Sequence, residues 1–246
     1  MSFSLIDTHV HLDELPNPNE AILEAKKNGV GGIVAVGMDW KSNERILALS
    51  EENPDFVFPA LGYHPEAVTV SGIKENLSFL RTHLDEAVAL GEVGLDYKIS
   101  VPRELQDWVF KDLLELALEK DKPIIIHCRR SHAQAYELIR KHELKKVVFH
   151  WYSGPADILK ELLLDGYFIS ATPALVYSSA HREAVAAAPL KQILIETDSP
   201  VVYQGETSTP ALVLRTLKEL SRIKKIDIEE AAIKTTQNAR IFFNLS

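Results

Sequence analysis

Four histidines and two carboxylates in this sequence have the chemistry and the placement that binding of divalent metal ions requires. His9 and His11 are two residues apart, so in an extended segment both imidazoles lie on one face and can bind the same ion. Such a pair is weak evidence by itself, because a chain with nine histidines often contains one by chance. The other candidates stand at or just after the end of an apolar run, and the full set is His9, His11, Glu92, His127, His150 and Asp198.

Six candidate ligands are more than one ion ordinarily takes from a protein, which favours a pair of ions about 3.5–4 Å apart. Such a pair would hold a bridging hydroxide and support hydrolysis, and Asp198 could accept a proton from the attacking water. The Glu92 carboxylate could bridge two cations, although a salt-bridged strand end is the competing explanation. The sequence contains no Gly-x-Ser-x-Gly motif, which speaks against a serine nucleophile.

Other polar residues near these positions have a structural explanation beside a functional one. Asp7 and Glu196 share the strand parity of nearby candidate ligands, so each could support those ligands or serve as a buried structural carboxylate. We interpret Asp96 as a turn or helix-capping residue, and Cys128 as a packed, inert thiol that points away from His127. The remaining histidines, which we interpret as structural or solvated, are His83, His132, His142 and His181.

The elements that must position these residues alternate regularly along the chain. Short runs rich in Ile, Val and Phe, typical of parallel strands buried on both faces, alternate with segments of helical period. The predicted strands are Leu5–Asp7, Gly32–Val36, Val57–Ala60, Val88–Gly91, Ile124–Ile126, Val147–Phe149, Tyr167–Ile169 and Ile193–Ile195. The predicted helices are Asn19–Asn28, Ser42–Glu52, Lys74–Leu84, Arg103–Lys120, Ser131–His142, Ala156–Leu164, Ser179–Ala187, Pro210–Ser221 and Ile228–Phe243.

Eight strand–helix units in about 250 residues predict an α/β fold of the TIM (β/α)₈ barrel type. In such a barrel the active site lies at the C-terminal ends of the strands, which is where the candidate ligands stand. An open doubly wound sheet has the same local pattern. The sequence has neither a Gly-x-Gly-x-x-Gly motif nor a phosphate-binding Gly-rich loop, which removes the usual reason to prefer that alternative.

Composition narrows the class of protein further. The 246 residues are 46% hydrophobic and show no break in composition, so we expect residues 1–246 to form a single domain. A net charge of −8 excludes a general attraction to phosphate backbones or anionic membranes. Cys128 is the only cysteine, so internal disulfides are excluded. The segment Met1–Asp7 lacks the pattern of a signal peptide, and a cytoplasmic location is the expectation.

Five motifs stand in order along the chain: Asp7-Thr8-His9-Val10-His11-Leu12, Gly62-Tyr63-His64-Pro65-Glu66, Gly91-Glu92-Val93-Gly94-Leu95-Asp96, Ile126-His127-Cys128-Arg129 and Glu196-Thr197-Asp198-Ser199-Pro200. Together they resemble the TatD family, metal-dependent hydrolases of the amidohydrolase superfamily. The resemblance covers essentially the whole chain. It implies a barrel fold and phosphodiester hydrolysis, often as a deoxyribonuclease.

The resemblance also implies a role for each site residue. One metal site would comprise His9, His11 and Asp198, the other would comprise His127 and His150, and Glu92 would bridge the two. His64 would line the substrate pocket and contact phosphate, and Arg129 would do the same unless it serves in a structural ion pair. The cofactors would be two divalent metal ions, and these ligand types accept zinc, manganese, magnesium or nickel.

The chain departs from the usual family sequence at two places near the expected site. Where the family often has His-Cys-Phe-Ser-Gly, this chain has His150-Trp151-Tyr152-Ser153-Gly154, which puts bulkier side chains beside the ligand. After Asp198 the family commonly has an arginine, whereas the loop Val201–Pro210 contains no basic residue. We expect substrate recognition to differ at these two segments.

The function predicted from these residues is metal-dependent hydrolysis of a phosphoester, with DNA as the substrate that the family suggests. Hydrolysis of an amide or lactone by the same two-ion site is the enzymatic alternative. A metal-binding module without catalytic activity is the alternative of another class, and the filling of all six ligand positions argues against it. We expect no membrane association and no obligate protein partner.

Overall fold

Eight parallel strands form one sheet in which each strand pairs with the next along the chain. The structure is a computed structural model and describes residues 4–245, so part of the N-terminal segment considered for a signal peptide lies outside the described residues. The strands are β1 (Leu5–Val10), β2 (Val30–Val36), β3 (Val57–Leu61), β4 (Ala89–Asp96), β5 (Ile124–Arg129), β6 (Val147–Phe149), β7 (Phe168–Ala171) and β8 (Ile193–Ile195).

The sheet closes where the segment after β8 meets β1. Val10 and Ser199 form a parallel bridge, and the His11 N–H donates to the Ser199 carbonyl at 2.8 Å. The Asp198 N–H donates to the His9 carbonyl at 3.0 Å. The TIM barrel is therefore confirmed, and its closure brings Asp198 beside the two histidines of β1.

Nine α-helices surround the barrel among the described residues. They are α1 (Pro18–Lys27), α2 (Trp40–Glu52), α3 (Ile73–His83), α4 (Arg103–Glu119), α5 (His132–Lys141), α6 (Ala156–Leu164), α7 (Ser179–Ala187), α8 (Val213–Lys224) and α9 (Ile228–Phe243). Local capping explains several of the starts: Asn17 caps α1, and Asp39 and Ser42 form a capping box at α2. The predicted start of α8 at Pro210 is wrong, because Pro210–Leu212 form a 3₁₀ turn before the helix.

The core of the barrel consists of two apolar clusters. A large outer layer lies between strands and helices, and a smaller inner cluster contains alternate residues of the strands, such as Ile6, Val34 and Ile125. Phe242 and Phe243 of α9 join that inner cluster. Helix α9 therefore covers the N-terminal end of the barrel and leaves the C-terminal end for the polar site.

The sequence analysis missed several short 3₁₀ turns and a short hairpin after β8. Its strands are β9 (Val202–Tyr203) and β10 (Glu206–Thr207). Gln204 and Gly205 both have positive φ, 52° and 89°, which is the requirement of a two-residue hairpin turn of the I′ type. Across residues 4–245, no helix is both long and apolar enough to span a lipid bilayer.

Candidate metal centre

Two irregularities of strand pairing position the first ligands. The three residue steps from Asp7 to Val10 in β1 pair with only two steps in β2. The three steps from Leu90 to Val93 in β4 likewise pair with only two steps in β5. Each shift changes which face of its strand the following side chains occupy. Glu92 lies at the second shift and inside β4, whereas we expected it directly after the strand.

The first group of ligands surrounds the imidazole nitrogens of β1. His9 Nε2 lies 3.3 Å from His11 Nε2, 3.3 Å from Glu92 Oε2 and 3.6 Å from Asp198 Oδ1. His11 Nε2 lies 3.5 Å from the same two carboxylate oxygens. These four side chains are nearly or fully buried, so their donor atoms face one another rather than solvent.

The second group lies on the other side of Glu92. Glu92 Oε1 is 2.7 Å from both His127 Nδ1 and His150 Nε2, and those two nitrogens are 3.5 Å apart. The rings of His9 and His150 stack at 4.2 Å, which places the two groups side by side. Each oxygen of Glu92 therefore faces one group of imidazoles.

In three of the rings, the nitrogen that points away from the centre of the cluster contacts a hydrogen-bond acceptor, and this contact determines which nitrogen carries the proton. His11 Nδ1 lies 3.1 Å from the Val36 carbonyl, which can only accept. His127 Nε2 lies 3.4 Å from Asp96 Oδ2, and His150 Nδ1 lies 3.3 Å from Glu196 Oε1. In the neutral rings these outer nitrogens hold the hydrogen, so the inner nitrogens present lone pairs, as metal ligands must.

His64 has the opposite arrangement, although it lies in the same cluster. Its Nδ1 accepts the Glu66 N–H at 3.2 Å, so the proton of the neutral ring is on Nε2. That Nε2 lies 3.7 Å from Glu92 Oε1. Burial lowers the pKa of His64 to about 3, so the ring is neutral at neutral pH. His64 therefore presents a hydrogen-bond donor to the site rather than a lone pair.

The charges of the cluster stabilise one another. Burial raises the pKa of Glu92, but His150 and the other protonated imidazoles around it outweigh that effect and hold the pKa well below its usual range. For His11 the balance has the opposite sign: burial lowers its pKa, and Asp198 and Glu92 outweigh that effect and raise it to about 9. Without a metal ion, the protons of these imidazoles supply the positive charge that the carboxylates require.

The donor atoms of the first group have the spacing that a divalent ion requires, whereas the two 2.7 Å contacts of Glu92 in the second group have the length of hydrogen bonds. Ligands about 2.1 Å from a four-coordinate ion lie about 3.4 Å from one another, and the separations in the first group are 3.3–3.6 Å. His9 Nδ1 is buried and has no hydrogen-bond partner among residues 4–245, so this ring is oriented by the contacts of Nε2 and by its stacking on the His150 ring. Two groups of described residues bring donor atoms close enough together to hold an ion: His9, His11 and Glu92; and His9, His150 and Asp198. A third group, His64, Glu92 and His127, is equally close, but the inward Nε2 of His64 carries a proton.

The neighbouring polar residues have roles that the sequence only partly indicated. Asp7 accepts the N–H and the hydroxyl of Thr197 at 2.9 and 2.6 Å, so it ties β1 to the end of β8 instead of orienting an imidazole. Asp96 accepts the Lys98 N–H at 2.8 Å, as a turn residue does. Its contact with His127 was missed, although Asp96 shares strand parity with Glu92, which was a usable signal.

A cavity of about 520 Å³ opens over both groups and gives a substrate access to them. His64 and Arg129, the two predicted substrate contacts, are among the residues that line it, and Arg129 is 55% exposed and 3.9 Å from Asp96. Cys128 also borders the cavity, but it packs against the outer core. The backbones of Trp151 and Asp198 at this mouth are left-handed, with φ of 41° and 49°, a conformation that costs about 1–2 kcal/mol in a non-glycine residue.

Comparisons with known proteins agree over the full length of the barrel. The model of the family described as TatD related DNase matches residues 6–244. The chain is 30% identical to the uncharacterized metal-dependent hydrolase YabD of Bacillus subtilis, over 98% of this chain and 100% of that protein. It is 30% identical to the deoxyribonuclease TATDN3 of Homo sapiens, over 97% of this chain and 94% of that protein. The crystal structure of YJJV, a TatD homolog of Escherichia coli, superposes with a TM-score of 0.89 at 29% identity, covering 98% of each chain.

Proposed function

We propose, because this chain belongs to the TatD family of metal-dependent hydrolases, that it cleaves phosphodiester bonds with two divalent metal ions. The observation that carries the proposal is the orientation of Glu92. One of its oxygens lies 3.3 Å from His9 Nε2, and the other lies 2.7 Å from His127 and His150. A carboxylate placed between two groups of imidazoles is what a bridging ligand requires.

In this proposal His9, His11 and Asp198 would hold one ion, and His127 and His150 would hold the other. When bound, the ions would lower the pKa of a water molecule and offset the negative charge that develops on the phosphoryl group. Three of these side chains, His11, His127 and His150, have outer nitrogens that contact protein acceptors, which would orient them before an ion arrives. The name of the human relative, deoxyribonuclease TATDN3, supports a phosphodiester as the substrate.

Asp198 is the group that would accept a proton from the attacking water. Burial raises the pKa of Asp198, but the hydrogen bond from His11 and the charge of His9 outweigh it, so the pKa lies below its usual value. The carboxylate is therefore ionised at neutral pH, as a proton acceptor must be. It also lines the cavity, so it can return that proton to the departing oxygen.

His64 and Arg129 would bind the phosphate. His64 supplies a neutral N–H beside the second group, which can donate to a phosphoryl oxygen without carrying charge into the buried cluster. Arg129 makes a long contact with Asp96, so most of its guanidinium remains available to a phosphate in the cavity.

A panel of matched chromogenic substrates tests the proposal. The protein is loaded separately with zinc, manganese, magnesium or nickel and given bis(4-nitrophenyl) phosphate, a 4-nitroanilide and an aryl lactone. We expect hydrolysis of the phosphodiester alone. Hydrolysis restricted to the anilide or the lactone would favour the amide or lactone alternative, and no hydrolysis of any substrate would favour a metal-binding module.

Replacing Asp198 by asparagine tests the proton acceptor. Asp198→Asn keeps an oxygen that can contact a metal but removes the basic carboxylate, so we expect kcat to fall by about 10²- to 10⁴-fold. Metal content is measured on the same sample by elemental analysis. Asp107→Asn is the control, because Asp107 accepts the Tyr97 hydroxyl outside the cluster. An Asp198→Asn protein with full metal content and unchanged kcat contradicts this role.

A further inference from the structure

Three aromatic side chains, here called the aromatic wall, stand at the mouth of the metal cavity: Trp151, Tyr177 and Tyr203. The ring of Tyr203 lies 5.5 Å from that of Trp151 and 6.5 Å from that of Tyr177. Trp151 and Tyr177 line the cavity. None of the three has a part in the hydrolytic steps derived above.

The wall is held rigidly from behind. Tyr203 is 2% exposed, and its hydroxyl donates to the Thr197 carbonyl at 2.9 Å. The backbone N–H of Trp151 donates to Ser170 Oγ at 2.9 Å and to Glu196 Oε1 at 3.2 Å. Because Glu196 Oε1 also lies 3.3 Å from His150 Nδ1, one carboxylate holds both a candidate metal ligand and the residue that carries the indole. The backbone of Trp151 is thereby held in place relative to the metal centre, and the indole packs against the Tyr203 ring at 5.5 Å.

The front of the wall is open. Tyr177 is 47% exposed and Trp151 is only partly buried, although the Tyr203 ring behind them is buried. Exposed aromatic rings on a rigid support beside a phosphate-binding site are the arrangement on which nucleic-acid bases stack. An aliphatic substrate would leave these rings without a matching flat surface.

The charge around the cavity limits the length of the substrate. Among the described residues that line the cavity, Arg129 is the only lysine or arginine, and Glu14 and Glu66 add negative charge. A groove that follows a long phosphate backbone needs a series of basic groups. The cavity therefore suits one nucleotide unit rather than a long duplex.

We propose that Trp151 and Tyr177 form a stacking platform for the base of a single nucleotide unit whose phosphate lies at the metal centre. The proposal rests on the phosphodiesterase activity proposed above and specifies its substrate class: a nucleotide phosphoester or the terminal nucleotide of a strand. The phosphate is bound by His64, Arg129 and the metal centre, and the base is bound by the wall.

Equilibrium binding to the metal-loaded protein tests the platform without requiring turnover. Calorimetry compares adenosine 5′-monophosphate with ribose 5-phosphate, which carries the same phosphate and sugar but no base. We expect the nucleotide to bind about 10-fold more tightly, the effect of stacking one base. Trp151→Ala and Tyr177→Ala should each lose most of that preference and leave ribose 5-phosphate binding unchanged.

Matched variants separate stacking from damage to the fold. Trp151→Phe and Tyr177→Phe keep an aromatic face and should keep the preference, and Val202→Ala, an exposed apolar change in the adjacent hairpin, should have no effect. Equal binding of the two ligands by the unmodified protein, or an undiminished preference in both alanine variants, would overturn the platform. A clear preference for the nucleotide in a protein that cleaves no phosphodiester would overturn the proposed function and support the platform.

Discussion

At the scale of the residue, the site depends on which nitrogen of each imidazole faces inward with its lone pair once the ring is neutral. Val36 O, Asp96 and Glu196 hold the outer nitrogens of three candidate ligands, whereas the Glu66 N–H turns His64 into a donor. Histidines that look equivalent in the sequence therefore have different chemistry in the folded protein. Their hydrogen-bond partners decide it, because a neutral imidazole has one donor and one acceptor.

The contact between Asp96 and His127 gives a prediction for metal affinity. In Asp96→Asn the amide can still accept the Lys98 N–H, but it no longer offers a charged acceptor to His127 Nε2. We expect affinity at the second group to fall by about 10- to 100-fold, as on loss of other partners of ligating histidines. Competition with a chromogenic chelator measures this, with Asp107→Asn as control. An unchanged affinity would mean that Asp96 serves the turn alone.

The raised pKa of His11 predicts how metal affinity depends on pH. Asp198 and Glu92 outweigh the effect of burial and raise that pKa to about 9, so at pH 7 an incoming ion must displace a proton. Affinity should therefore rise between pH 7 and pH 9, by about tenfold per pH unit for each proton displaced. Calorimetry in buffers of different ionisation enthalpy counts the released protons. The same heat in every buffer at pH 7 would contradict the prediction.

At the scale of the element, the site depends on departures from ideal strands. The shifts of register in β1 and β4 occur beside His9 and at Glu92, where regular alternation would have aimed the side chains differently. A close approach of β3 accompanies the second shift. Asn43 donates to the Gly62 carbonyl at 2.7 Å and accepts the Gly62 N–H at 2.9 Å, which holds Gly62 against the backbone of Glu92.

A methyl group at position 62 should therefore disturb the metal centre. The Cβ of Gly62→Ala would overlap the Glu92 backbone, so we expect a loss of stability of about 1–3 kcal/mol together with weaker metal binding. Gly166→Ala is the control, because Gly166 has a φ of 85° but open space around it. The control should lose about 1–2 kcal/mol and keep its metal affinity. Urea unfolding and chelator competition give the two values, and equal metal affinity in both variants would contradict the prediction.

At the scale of the whole molecule, the apolar residues that stabilise the barrel and the polar residues of the candidate site lie toward opposite ends of its axis. The rings of α9 and the inner apolar cluster occupy the N-terminal end, and every candidate ligand lies toward the C-terminal end. This polarity is general in TIM barrels, because the loops at the C-terminal ends of the strands build the active site. The net charge of −8 belongs to the same scale and disfavours attraction of long polyanions.

Truncation of Phe242 tests that separation. Phe242 is 2% exposed and packs against Phe168 at the start of β7, so Phe242→Ala should cost about 3–5 kcal/mol of unfolding free energy. Because the site lies at the other end of the barrel, kcat/KM of the folded protein should be unchanged. The measurement is an unfolding curve and a hydrolysis rate obtained on the same preparation of the variant. A large loss of kcat/KM at full folding would show that the two ends are coupled.

The sequence by itself determined the order of the strands and helices and which residues form the candidate site. Apolar runs of strand length alternating with helical segments indicated eight units, and polar residues at the run ends indicated the C-terminal mouth. Strand and helix interiors were found because burial leaves a periodic apolar signal. The hairpin Val202–Thr207 was not found, since its two strands have two residues each and show no period.

Only the tertiary structure decided how the gathered residues are arranged. The contacts of Glu196 with His150 and of Asp96 with His127 join residues 46 and 31 positions apart, and no local pattern reports such pairs. Periodicity assumes regular strands, so it could not show that shifts of register turn Asp7 away from the imidazoles and place Glu92 between the two groups. Ligand identity is a property of residue type, whereas the facing atom, its proton and its neighbours depend on the packing of the closed barrel.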